Sequence, residues 1–427
     1  MNLKDIKYIG STCPIETIDV KTRQRLFNYT LEDIQEIITP MAQSGKETIG
    51  SMGFDTPLAV LSDIPQLLPN YFKQLFAQVT NPPLDGIREE IVTDISLSLG
   101  EDRNIFDISD SHCRKLTIQN PVISNEDLEK IRNLSLDHFK ACTIQTLYDK
   151  SSGLNGLEES LENIIEEISD KITDNHNIII LSDRGVNQDK APIPPLLACS
   201  YVHHQMNRLR KRSFFDIIIE SSEPREPHHF ATLFGYGASA INPYMVNEII
   251  RIQVNEGFIE NINEQQAVDN YNKAIGKGLL KIMNKIGIST LHSYRGSQIF
   301  EAIGLGQSLI IDAFPGTMSR LGGVGYAQLA EEIRLRHQIA FPKVPSHRAH
   351  RDLIAGGEYQ WRREGEFHLF NPETIFKLQH ATQEKRYDIF KEYTKRVDEQ
   401  ARDLATLRGL FKFRPGVNDA ISIDEVE

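Results

Sequence analysis

Short isoleucine runs that alternate with helix-length segments constrain this chain most. Asn177-Ile-Ile-Ile-Leu181 and Phe215-Asp-Ile-Ile-Ile-Glu220 lack the in-out alternation of a half-exposed strand. A strand that is apolar on both sides needs cover on both faces, which a parallel sheet layered with helices provides. Thr143-Ile-Gln-Thr-Leu-Tyr148 reads as another strand, followed by a helix over about 157–172. Residues 177–181 are followed by a helix over about 194–211, and 215–220 by helical segments at 228–234 and 243–254. Ile286-Gly-Ile-Ser-Thr-Leu291 and Ser308-Leu-Ile-Ile-Asp312 read as two more strands, the first followed by a helix near Gln298 and the second by one over about 326–337. The fold class is therefore α/β, with βα repeats and right-handed crossovers in a mostly parallel sheet or a partial barrel.

At 427 residues the chain exceeds one ordinary core, and its pattern changes twice. Residues 1–130 read as a helical N-terminal part, 131–345 as the βα core, and 346–427 as a linker with a helical C-terminal segment. Thr30-Leu-Glu-Asp33 and Ser124-Asn-Glu-Asp127 are helix starts: a hydroxyl N-cap with an acid three residues on. Asn371-Pro372 starts a later helix in the same spirit. Residues 67–79 show helical spacing of Leu68, Phe72, Leu75, Phe76 and Val79, and Asn81-Pro82-Pro83 stops it. A second helical pattern covers 87–99. The elbow between them is either a plain corner or the wall of a channel or interface.

A net charge of −12 argues against nucleic acid as a partner. The basic run Arg208–Arg212 sits where a helix should end and suits its dipole. Cys13, Cys113, Cys142 and Cys199 are far apart with no Cys-x-x-Cys, so no zinc or iron–sulfur motif is present and the thiols suit a cytoplasmic protein. The N-terminus lacks the apolar core of a secretion signal, and no apolar run is long enough to span a membrane. His203-His204 and His228-His229 are neighbours that do not share a helix face, so no metal site is assigned. Gly235-Tyr-Gly-Ala-Ser-Ala240 fits a dinucleotide string but follows a helix and not a strand, so it reads as a helix–helix turn. Gly322-Gly-Val-Gly325 reads as a turn ahead of a helix.

Ligands of parallel sheets sit beyond the C-terminal strand ends. Polar side chains cluster there in sequence: Asp183 and Arg184, then Glu223, Arg225 and His228, then Tyr294 and Arg295. Such a set can bind an anion or move protons, or it can be an ion-pair network that closes the sheet against a neighbour. No nucleophile stands beside a base at a recognisable spacing, so no catalytic residue is assigned.

Several long strings resemble, in family order, the central region of the glutamate synthase large subunit. They include Ser51-Met-Gly-Phe-Asp-Thr-Pro-Leu-Ala-Val-Leu-Ser62, the stretch 71–90 and Leu181-Ser-Asp-Arg-Gly185. Glu223-Pro-Arg-Glu-Pro-His-His-Phe230, Ser293-Tyr-Arg-Gly-Ser-Gln-Ile-Phe-Glu-Ala302 and His368-Leu-Phe-Asn-Pro372 continue the series. The resemblance runs from about Phe27 onward. It implies a central domain plus the start of a flavin-binding domain, working as scaffold and ammonia-tunnel wall in an enzyme that reductively converts glutamine and 2-oxoglutarate to two glutamates.

The implied role lies in glutamate biosynthesis and ammonia assimilation. The implied partners are the amidotransferase and flavin-barrel domains of the same enzyme. FMN and an iron–sulfur cluster belong to the complete enzyme, with no cofactor in this chain. Met1 and the internal Cys13 put the glutaminase nucleophile elsewhere, and the flavin motifs are expected after Glu427. Met52, Thr56, Thr80 and Asn81 match the tunnel lining, whereas Phe54 departs from the family's small or polar residue. Pro315 and Met318 depart as well, around Gly316-Thr317. Two other readings stand beside this one: a non-catalytic interaction protein derived from that domain, and an independent enzyme using the strand-end cluster.

Overall fold

A computed structural model describes residues 1–10, 18–50, 53–75, 84–136, 138–342, 353–399 and 406–411, together with Arg414, Gly416, Ser422 and Asp424. In chain order the first part holds α1 (Val20–Leu26), a π-helical turn (Asp33–Ile38) running into α2 (Thr39–Ser44), β1 (Phe72–Gln74), α3 (Gly86–Val92), β2 (Leu97–Leu99), β3 (Leu116–Ile118), α4 (Asn125–Arg132) and β4 (Ser135–Leu136). Next come β5 (Phe139–Gln145), β6 (Leu147–Asp149), α5 (Gly156–Thr173), β7 (Ile178–Ser182), β8 (Lys190–Pro192), α6 (Pro195–Arg208), β9 (Asp216–Glu220), α7 (Pro227–Gly235), β10 (Ala240–Asn242), α8 (Tyr244–Asn255) and α9 (Glu264–Ile286). The remainder is α10 (Leu291–Tyr294), β11 (Phe300–Ala302), α11 (Gln307–Ala313), β12 (Met318–Ser319), α12 (Tyr326–Ala340), α13 (Pro372–Gln383) and α14 (Tyr387–Asp398).

The isoleucine runs form the centre of a five-stranded α/β sheet of order β10-β9-β7-β5-β4. Four of its strands are parallel and β4 pairs antiparallel at one edge. Ile180 lies between Thr143 and Ile218 across the ladder. Residues 178–181 and 217–219 are fully buried, as two covered faces demand. Burying one such side chain is worth about 1.5–3 kcal/mol. The other edge is closed by backbone from the N-terminal part: Val122 bridges Ile241 in parallel, and Ile241 N donates to Pro121 O at 2.8 Å. Ser124 caps α4 through Asp127 N, and the Thr30 hydroxyl and Asp33 carboxylate cap the turn that leads into α2.

Several local expectations are corrected. The helix expected over 67–79 is a 3-10 turn (Leu68–Tyr71) and then β1, because Phe72 is drawn into an aromatic cluster 4.9 Å from Phe314 and 5.3 Å from Tyr236 while β1 pairs with β11. The elbow at Thr80–Pro83 lies outside the described residues. The helix expected over 87–99 ends at Val92, and Leu97–Leu99 pairs with β3. The strand expected over 143–148 splits into β5 and β6. The strand expected at 286–291 does not form: α9 runs to Ile286, Gly287 closes it at φ +81°, and α10 follows. Gln298 takes φ +55° and leads into β11, not a helix. Residues 308–312 lie in α11, which buries Leu309, Ile310 and Ala313 on one face and exposes Ile311. The string Gly235–Ala240 joins α7 to β10, a helix-to-strand turn.

Candidate functional site

At the C-terminal end of the sheet, β7 and β9 finish on Ser182 and Glu220, which are direct neighbours in register. The buried Glu220 carboxylate accepts from Ser182 Oγ (2.6 Å), Arg184 Nε (2.6 Å) and Arg132 Nη2 (2.8 Å). Burial alone would raise its pKa, but Arg184 and Arg132 outweigh that and hold it below the ordinary value. The Arg184 guanidinium also lies 3.8 Å over the Tyr244 ring.

Asp183 is buried beside this pair and accepts from Ser221 Oγ (2.5 Å), Tyr244 Oη (2.7 Å) and Ser222 N (3.1 Å). Burial nevertheless pushes its pKa up to about 7. Between pH 3.8 and about 7 the folded protein therefore keeps a proton that the unfolded chain releases. The stabilisation from this group is complete below 3.8 and is lost as pH rises through about 7. Asp183→Asn should flatten the fall of stability with pH across that window in urea titrations. An unchanged slope would show that Asp183 ionises as an ordinary carboxylate.

The loop after β9 carries the next groups. Arg225 is buried and binds outward to the N-terminal part: Nη1 to Phe27 O (2.9 Å), Nη2 to Asn28 O (3.0 Å) and Nε to Asp33 (3.3 Å). Glu223 is raised by burial, which Arg336, His229 and Arg225 only partly offset. One of its oxygens, Oε1, is buried with no hydrogen-bond partner. Burial would raise Glu226 too, but His229, 3.1 Å away, and the Tyr359 hydroxyl hold it low. His228 meets Pro69 O through Nε2 at 3.0 Å, and burial lowers its pKa.

Glu226 and His228 open onto a cleft of about 280 Å³ that Thr56, Gln66, Asn70 and Glu358 also line. Thr56 is buried and its hydroxyl has no partner. Phe54 stands at the same cleft, 53% exposed, with Lys73 Nζ 5.3 Å from its ring centre. Met52, Thr80 and Asn81 lie outside the described residues.

Asp183, Arg184, Glu223, Arg225 and His228 thus share one end of the sheet, but Tyr294 and Arg295 do not join them. Arg295 Nη1 binds Asp216 (3.1 Å) and Ser239 (2.5 Å), at the starts of β9 and β10. Tyr294 is buried in the same region, beside Gly235. Their sequence placement depended on a strand at 286–291 that is helix and turn. Glu32, Asp55 and His368 escaped singling out, because their partners are remote in sequence.

Among the described residues no three His, Cys, Asp or Glu side chains converge as metal ligands. Among the described residues, Cys113 is exposed, Cys142 half-buried and Cys199 buried. No described helix is long and apolar enough to cross a membrane.

The family model described as "Glutamate synthase central domain" matches residues 22–306, which takes in the whole parallel sheet and Thr56 at the cleft. The chain belongs to the glutamate synthase central-domain family. The NADPH glutamate synthase large chain of Bacillus subtilis is 43% identical over 96% of this chain and 26% of its own length. The NADH glutamate synthase of Schizosaccharomyces pombe is 39% identical over 94% of this chain and 19% of its own length. Ferredoxin-dependent glutamate synthase 2 of Synechocystis is 36% identical over 96% of this chain and 27% of its own length. The chain therefore spans about a quarter of the length of the glutamate synthases it matches.

Proposed function

We propose that this chain is the central-domain portion of a cytoplasmic glutamate synthase and contributes scaffold and one wall of an ammonia passage. The complete enzyme transfers the amide nitrogen of glutamine reductively to 2-oxoglutarate, giving two glutamates. Its amidotransferase and flavin-barrel domains supply the nucleophile, FMN and iron–sulfur chemistry. Relatives named for NADPH, NADH and ferredoxin all match this region, which supports a choice of electron donor made outside it.

The observation that carries the wall is Thr56, a buried hydroxyl without a partner on a cleft at the sheet's C-terminal end. Ammonia is small, neutral and able to donate and accept hydrogen bonds. A passage for it needs isolated polar groups set in apolar walls, since a buried polar group left unpaired costs about 1–3 kcal/mol until a visitor pairs with it. Leu58, Ala59 and Pro57 supply the apolar part beside Thr56.

In the complete enzyme, Thr56→Leu should leave glutamine hydrolysis running while glutamate formation from 2-oxoglutarate falls. The ratio of glutamine consumed to glutamate formed should rise several-fold, and Thr56→Ser should restore it. A ratio unmoved by leucine would remove Thr56 from the passage.

A further inference from the structure

Residues 356–371 lie beyond the span matched by the family model, yet they are bound to the cleft wall along most of their length. The buried Glu32 carboxylate accepts from three backbone amides of this segment: Gly357 (2.8 Å), Glu358 (2.7 Å) and Gln360 (2.9 Å). Successive amides converging on one anion make a nest, and here a side chain of the same protein fills it. The turn must be tight to do this. A Cβ on Gly356, at φ +93°, would lie 2.6 Å from Glu32 Cβ, and one on Gly365 would lie 2.3 Å from Gly356 O.

From that anchor the segment reaches the cleft. Tyr359 Oη donates to Glu226. The His368 ring bridges Gly357 O (2.6 Å) and Asp55 Oδ1 (2.9 Å). Asp55 also accepts from Phe370 N through Oδ2 and from Leu369 N through its carbonyl, both at 3.1 Å. Glu366 accepts from Ser62 Oγ at 2.7 Å. Asp55 immediately precedes Thr56, so the segment grips the wall next to its unpaired hydroxyl.

We infer that residues 356–371 are a strap latched by Glu32, a positioning residue that holds Tyr359 against Glu226 and His368 against Asp55 and so sets the width of the cleft. The hydrogen bonds of the Glu32 carboxylate run to strap amides, while Asp33 and Arg225 tie the neighbouring loop to the sheet end separately. Releasing the latch frees the strap and spares the sheet. The consequence for ammonia rests on the channel reading above, but the latch itself does not.

Trp361, the chain's one tryptophan, sits on the strap and reports its state. In this chain, Glu32→Gln should raise acrylamide quenching of Trp361 about twofold and speed hydrogen exchange at amides 357, 358 and 360 roughly tenfold, with far-UV circular dichroism unchanged. Tyr359→Phe, which removes one strap bond and no buried charge, should shift both readouts part of the way. If neither variant moves quenching or exchange, the latch is overturned. In the complete enzyme Glu32→Gln should also raise glutamine consumed per glutamate formed. If the strap loosens and that ratio stays fixed while Thr56→Leu raises it, Glu32 does not set the cleft width and the inference fails. If Thr56→Leu leaves the ratio fixed while the strap loosens, the latch stands and the channel reading falls.

Discussion

Arg225→Ala is expected to destabilise the chain by about 3–5 kcal/mol, the cost of leaving a buried charge without its partner. The guanidinium satisfies the Phe27 and Asn28 carbonyls, faces Asp33 at 3.3 Å and stacks 4.4 Å over Tyr29. Removing it takes the cation from the half-buried Asp33 and leaves the Phe27 and Asn28 carbonyls without their donor. Arg225→Lys should recover only part of the loss, because an ammonium cannot fork between two carbonyls and lie flat on a ring. Urea unfolding measures both, and a loss below about 1 kcal/mol for alanine would mean that water replaces the guanidinium without strain.

Gly237→Ala should cost about 2–5 kcal/mol, the sum of a left-handed backbone penalty and of overpacking. Gly237 has φ +114°, and a Cβ there would lie 2.4 Å from His203 Nδ1. That ring has little room to retreat. Arg212 donates to the same Nδ1 at 3.1 Å and to Gly237 O at 3.1 Å, so ring, guanidinium and turn form one unit. Burial, helped by the charge of Arg212, holds the His203 pKa down near 2, and the imidazole stays neutral. Gly322→Ala, where a Cβ meets nothing within 4 Å, is the matched control and should be close to neutral. Thermal unfolding of the two variants side by side tests this, and equal melting temperatures would refute the packing argument.

The central strands were legible because total burial leaves no polar residue to break the isoleucine runs. Residues 308–312 were not, since Leu-Ile-Ile is equally the core of a strand or the inner face of one helical turn. α9 passed unrecognised although it has 23 residues. Its Gly276 and Gly278 weaken the helical signal, yet they admit Ile95 and Pro227, which would lie 3.1 Å and 3.0 Å from an added Cβ. At the site, the strand-end rule found Asp183, Arg184, Glu223, Arg225 and His228. It misplaced Tyr294 and Arg295, whose strand does not exist. Glu32, Asp55 and His368 were invisible for a different reason: Asp55 and His368 meet across 313 positions, and Glu32 reaches Gly357 across 325. Local pattern carries no trace of such pairs.

The closed edge at β10 bears on the order in which the protein can be made. Val122 pairs with Ile241, so the backbone that seals the sheet is synthesised about 119 residues before the strand it seals. At 5–20 residues per second, the segment waits roughly 6–24 s on the ribosome with its donors and acceptors open. During that interval β5, β7 and β9 emerge in turn and can assemble from one side. The last strand of the sheet therefore docks into a slot whose outer rail was laid first, and the β10 side of the sheet need never present a free edge to a neighbouring chain.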